Sequence, residues 1–313
     1  MIKTLEYIFL FVIFPGFLFS GAMGLLIGWL DRKITARIQW RVGPPWYQNF
    51  FDILKLSLYK ETLLPEGVSS VFFLGMPLIG LAAATLVSTM IFVINGAPKF
   101  SFIGDIIAVV YLMLIPSISL MLGAFASKNS LASLGGAREM KLMLSYELPF
   151  ILCLVVTIMK SGFNIRLGEM MLYQNEHGWA IASISGIISF IVMILCAQAK
   201  LGFIPFDMPE AETEIMGGTY IEYSGKALAA FKLTKAIMYF ALPMFIVTIY
   251  FGGLKDTVEG FISTVLAYLL VVVLMVLIKN TNPRVRIDHA VRFFWGPMTS
   301  LAVLSIVLAY LGY

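Results

Sequence analysis

The chain is poor in charge. Only 13% of its 313 residues are Asp, Glu, Lys or Arg, while 60% are hydrophobic. Soluble domains carry about 25% charged residues, so this chain has too little polar surface to cover a water-soluble globule, and a bilayer is its natural solvent. It is also poor in metal-binding side chains. The two cysteines, Cys153 and Cys196, lie inside apolar runs with no CxxC pattern. That excludes a disulfide framework and argues against a zinc or iron–sulfur site built by this chain alone. The two histidines, His177 and His289, stand isolated at loop positions and read as ordinary polar residues. A basic stripe of the kind that binds nucleic acid is missing. So are repeats, low-complexity tracts and linkers, which leaves one transmembrane domain over 1–313 as the simplest organisation.

What the chain does have is long apolar runs. Runs able to cross about 30 Å of hydrocarbon fall near 5–30, 69–94, 103–127, 145–162, 180–199, 229–250, 259–278 and 293–312. An all-α integral membrane protein of about eight transmembrane helices is therefore expected. The fourth run is short, and the first is too long for a signal-peptide core. The segments 31–68, 128–144, 200–232 and 279–292 together carry sixteen of the 22 Lys and Arg, against five on the other side. The positive-inside rule places those charged loops in the cytoplasm and both termini outside. The longest outer loop, 161–179, has room for a short surface helix.

The first charged loop opens with a basic run and is broken by Gly43, Pro44 and Pro45. Residues 48–60 then place Phe50, Phe51, Leu54 and Leu58 on one face, the pattern of an amphipathic interfacial helix. Two readings stay open: a surface anchor, or a roof over a cavity. In the second charged segment Gly135 and Gly136 permit a tight turn. Glu147 follows at the start of an apolar stretch. It is either an interior acid with a partner or a headgroup-level acid paired with Arg138 or Lys141. The third loop, 200–226, has a net charge of −3 on a face that should be positive. Its acids are Asp207, Glu210, Glu212, Glu214 and Glu222. They read either as a solvated surface or as a docking and proton-exchange surface whose close carboxylates repel one another. Lys235 lies one turn inside the sixth run and wants a carboxylate; with Lys160 and Glu147 it suggests a polar track.

These motifs resemble a known family. Asp31-Arg32-Lys33 with Gln39-x-Arg41-x-Gly43-Pro44, Leu134-Gly135 with Ser145-Tyr146-Glu147, Pro205-Phe206-Asp207-x-Pro209-Glu210-Ala211-Glu212-x-Glu214 with Ile221-Glu222-Tyr223-Ser224-Gly225, and Pro283-Arg284-x-Arg286-x-Asp288 run in order along the chain. They are similar to the complex I subunit called NuoH. Phe203, where complex I members usually carry Arg, together with Trp46-Tyr47-Gln48 and Phe231-Lys232-Leu233-Thr234, look more like the archaeal membrane-bound hydrogenases and sulfane reductases. The resemblance implies an eight-helix subunit that binds no cofactor itself. Its expected partners are a [NiFe]-hydrogenase-like large subunit, a small subunit with 4Fe–4S clusters and antiporter-like membrane subunits, with ferredoxin as electron donor. It implies ion coupling through Glu147, Asp207, Glu210, Glu212, Glu214, Glu222 and Lys235. Arg32, Lys33, Arg37, Arg41, Arg138, Arg284, Arg286 and Asp288 would form the docking face. The alternatives are a quinone-chamber subunit of a complex I-type enzyme and a purely structural membrane anchor.

Overall fold

A computed structural model describes residues 8–255 and 257–313; Lys3 and the start of the first expected run lie outside them. Among the described residues there is no strand, and seven helices are long and apolar enough to cross a membrane. They are Phe9–Ile38, Ser70–Gly96, Asp105–Ala126, Ser130–Lys160, Gly225–Phe251, Val258–Thr281 and Ile287–Tyr310. A shorter apolar helix of 17 residues, Ile184–Lys200, lies at the fifth expected run. At 1.5 Å per residue it is about 26 Å long, close to the hydrocarbon thickness.

The helices that position the site are α1 (Phe17–Ile38), α2 (Gln48–Leu54), α3 (Ser70–Gly96), α4 (Asp105–Leu112), α5 (Ile115–Ala126), α6 (Ser130–Lys160), α7 (Leu167–His177), α8 (Ile184–Lys200), α9 (Gly225–Phe251), α10 (Val258–Thr281), α11 (Ile287–Phe293) and α12 (Thr299–Tyr310). Helix α9 is the central post, packed against α1, α3 and α10. Its apolar stretch is the most buried of the seven. It touches α1 closely because Gly24 has no side chain: a Cβ there would lie 2.3 Å from the Ala236 carbonyl oxygen. The third crossing is split into α4 and α5. Pro116, near the start of α5, lacks an N–H and crowds the carbonyl of the preceding turn. The outer loop does hold a surface helix, α7. The fully buried Asp105 tethers its start by accepting a hydrogen bond from the Leu167 N–H at 2.9 Å.

The fourth crossing differs from the sequence expectation. Segment 128–144 is not a loop, and the crossing is not short. Asn129 caps a helix by accepting bonds from the Leu131 and Ala132 N–H groups, and α6 then runs unbroken for 31 residues. Gly135 and Gly136 make no turn. Both lie within the helix: Gly136 faces α5, and Gly135 faces the acidic loop where it presses against α6. A Cβ on Gly135 would meet the Thr219 nitrogen at 2.8 Å and the Pro209 oxygen at 3.0 Å. Local turn grammar misled here because the glycine serves a tertiary contact.

Gly135→Val is expected to destabilise the protein by about 1–3 kcal/mol through overpacking. Gly75→Ala, in open space within α3, should be neutral or slightly stabilising. Thermal unfolding of the two variants in detergent checks both.

Candidate functional site

The first charged loop folds back on α1. The Trp29 indole N–H donates to the Pro44 carbonyl at 3.1 Å, and the Asn49 amide donates to the Leu25 carbonyl at 2.8 Å. Helix α2 therefore turns Asn49, Asp52 and Ile53 towards the bundle. Its apolar residues Phe51 and Leu54, with Leu58 just beyond, face outward. It roofs a cavity. Beneath it lies an open cavity of about 300 Å³, bounded also by α1, α9 and α10. Two ion pairs flank this cavity: Lys279 with Asp31 at 2.7 Å and Arg32 with Asp52 at 3.2 Å. Phe203 sits between two cations, with the Lys235 and Lys279 ammonium groups 5.5 and 5.2 Å from its ring centre.

Deeper in the bundle is a second, smaller cavity of about 50 Å³, enough for a few waters. Its polar lining is Ser117, Glu139, Lys200, Glu210, Tyr220, Thr234 and Lys235. Lys235 borders both cavities. Its ammonium holds both oxygens of Glu210, at 2.7 and 2.8 Å. The pair thus lines the inner cavity, and Lys235 reaches the outer one as well. Burial, and then the charges of Glu210 and Glu139, push the Tyr220 phenol well above its ordinary pKa, which keeps it a neutral hydrogen-bond donor beside those acids.

At the far end of the inner cavity, the fully buried Lys200 side chain pairs with Glu147 at 3.1 Å. The ammonium also lies over the Phe150 and Tyr146 rings, at 4.7 and 5.4 Å. Of the two readings of Glu147, the interior acid with a partner matches this geometry: its cation comes from α8, not from Arg138 or Lys141. The other Glu147 oxygen is buried with no hydrogen-bond partner. Glu147 also borders an apolar groove of about 460 Å³ between α4 and α6. A lateral surface of the bundle thus begins where this chain of ionisable groups ends.

The acidic loop is not a set of mutually repelling carboxylates. Each acid but one has its own partner. Arg284 grips Asp207 with two nitrogens, at 2.7 and 2.5 Å, which raises its own pKa further. Arg138 reaches Glu214 at 2.5 Å, and the Asn129 amide donates to Glu222 at 2.6 Å. Glu212 is exposed and forms no ion pair among the described residues. The expected docking residues divide accordingly. Arg138 and Arg284 brace the loop, and Arg32 binds Asp52. Arg37, Arg41, Arg286 and Asp288 stay exposed, and Lys33 is half-buried. Lys160 is not part of the polar track; it donates to the Tyr313 carbonyl at 2.8 Å, far from Glu147's partner. Among the described residues no group of three His, Cys, Asp or Glu is placed to hold a metal, and both cysteines are buried and unpaired.

Sequence reasoning missed Glu139, Tyr220 and Asp31 and gave Lys200 no role. Glu139 was hidden by the reading of its segment as loop. Had α6 been drawn from its Asn129 cap, Glu139 would have stood as a second acid on the helix of Glu147. The Asp31–Lys279 pair joins residues 248 positions apart, beyond the reach of one sequence.

The chain matches the family model described as NADH dehydrogenase over residues 9–310. It belongs to that family. It is 31% identical to the NuoH protein of NADH-quinone oxidoreductase from Anoxybacillus flavithermus over 296 residues, 90% of this chain and 86% of that protein. The Bacillus thuringiensis protein of the same name is similar to the same extent. Among solved structures, a chain of the membrane-bound sulfane sulfur reductase, an archaeal respiratory membrane complex, superposes with a TM-score of 0.85 at 26% identity. The match covers 94% of this chain and 96% of that one. The family's membrane subunits of multi-subunit respiratory complexes thus share both the sequence pattern and the fold described here.

Lys200→Met should destabilise the protein by about 3–5 kcal/mol, because it strands the Glu147 charge. Lys200→Met combined with Glu147→Leu should recover most of that loss. Unfolding of the single and double variants in detergent reads the difference.

Proposed function

We propose that this chain docks a peripheral redox arm and couples its electron transfer to H⁺ or Na⁺ translocation, within a ferredoxin-oxidising complex of the membrane-bound hydrogenase or sulfane reductase kind. The observation that carries the reading is the continuity of ionisable groups through the bundle. The open cavity leads to Lys235–Glu210, the inner cavity leads on to Lys200–Glu147, and Glu147 meets the lateral groove. A purely structural anchor has no use for charges carried this far into an apolar bundle. The cytoplasm is the side assigned to the charged loops, with the termini opposite.

In this reading the partner subunits carry the redox centres: a [NiFe]-type or related site on the large subunit and 4Fe–4S clusters on the small one. Reduction there changes the charge facing the open cavity. The Lys235–Glu210 pair is the element with two arrangements. Closed, Lys235 is held by Glu210. Open, it turns to the outer cavity, whose acids are Asp31 and Asp52. Glu210 is then left facing Glu139 and Lys200, and the change passes to Glu147 and to antiporter-like subunits against the groove.

The cavity under α2 favours a second reading, a quinone chamber, as the names of the bacterial relatives would imply. Phe203 opposes it. The ring replaces the fixed cation and hydrogen-bond donors that complex I members present there.

Glu147→Gln should leave ferredoxin oxidation near normal and slow ion accumulation in vesicles by on the order of 10²-fold, the scale of a lost proton-transfer group. Unchanged accumulation would remove Glu147 from the coupling route. Metal analysis of the purified complex separates the subgroups: nickel marks a hydrogenase arm, and iron without nickel a sulfane reductase or quinone-linked one. Quinone-dependent oxidation by membranes would establish the second reading.

A further inference from the structure

A groove of about 490 Å³ lies between the charged end of α6 and the segment from α11 into the π-helical turn Phe294–Met298. It is unrelated to the ionisable route. Its lining combines two cations, Lys141 and Arg292, with the apolar Leu144 and Val291, the Trp295 indole and one acid, Asp288. Lys141, Arg292 and Trp295 are all exposed, and neither cation forms an ion pair among the described residues. The acids of the neighbouring loop claim Arg138 and Arg284 instead.

On α6 the order of these groups is that of a membrane interface. Lys141 stands one turn before Ser145, where α6 becomes apolar. Leu144, three residues beyond Lys141, is 59% exposed on the same helix. Tryptophan partitions to the headgroup level, with its ring amphipathic across the boundary. Basic pockets between transmembrane helices at this depth suit anionic headgroups. A peptide partner would need no apolar floor below the charges, whereas a lipid presents phosphate above and acyl chain below.

We propose that this groove binds one phosphate-bearing membrane lipid, with Lys141 and Arg292 on the phosphate, Trp295 beside the glycerol region, and Leu144 under the first acyl methylenes. Asp288 opposes the anion and weakens the site. The groove holds a net charge of +1 from these three residues.

The test uses the purified membrane complex that contains this chain. Native mass spectrometry should find one fewer retained phospholipid in Lys141→Gln/Arg292→Gln than in wild type. After delipidation, titration with dioctanoyl phosphatidylglycerol should be weaker by roughly fivefold for each basic residue lost. Asp288→Asn, which keeps both cations, should bind it more tightly and covers the case in which the double variant fails to assemble. An unchanged lipid count overturns the proposal. So does the loss of a protein subunit with phospholipids retained, which would assign the groove to a protein partner. Unchanged or weaker binding by Asp288→Asn overturns it as well.

Discussion

Charge inside hydrocarbon is tolerated only when it is matched, and that constraint organises this molecule. An ionised side chain at the centre of a transmembrane helix costs about 2.5–3.5 kcal/mol on insertion scales. The protein nevertheless places Lys200, Lys235, Glu139 and Glu147 within or beside its crossings. It meets the constraint with pairing across helices. Lys200 of α8 meets Glu147 of α6, Lys235 of α9 meets Glu210 of the acidic loop, and Lys279 of α10 meets Asp31 of α1. The first and last of these tie together helices distant in sequence, so the charges also help to fix which helices are neighbours. The exception is Glu139. It is buried beside a polar-lined cavity between two such pairs rather than bonded to one cation.

The acidic loop obeys the same logic at the membrane surface. Its backbone is irregular and must be covered or line a cavity. It does both. Gly135 lets it press against α6, Arg284 and Arg138 clamp its two ends, and Glu210 closes the inner cavity. Without the mutual repulsion that the sequence suggests, these acids take on a different meaning. Asp207, Glu214 and Glu222 each have a partner of their own, and Glu210 is held by Lys235, the cation that borders both cavities.

The membrane class, the eight apolar helices and the surface helix in the outer loop were legible because hydropathy reports burial in lipid directly. The roofing role of α2 was half legible: its periodicity showed two faces, but only the fold reveals that Asn49 and Asp52 look inward. The break before Pro116 was not legible, since proline in an apolar run is compatible with either a kink or a stop. The partners of Glu147 and Lys235 were illegible for a deeper reason. An ion pair between helices leaves no periodic trace in either one. The glycine pair of α6 was misread because Gly-Gly satisfies a turn and a close helix contact equally well.

The central claim is that Lys235–Glu210 is a working joint between two cavities and not merely a structural tie. The most direct measurement is ion translocation per electron pair by vesicles containing the Lys235→Met/Glu210→Leu complex, in which the charges are replaced together and no buried charge is stranded. The account predicts an assembled complex that transfers electrons but does not pump. Wild-type pumping by that variant would contradict it.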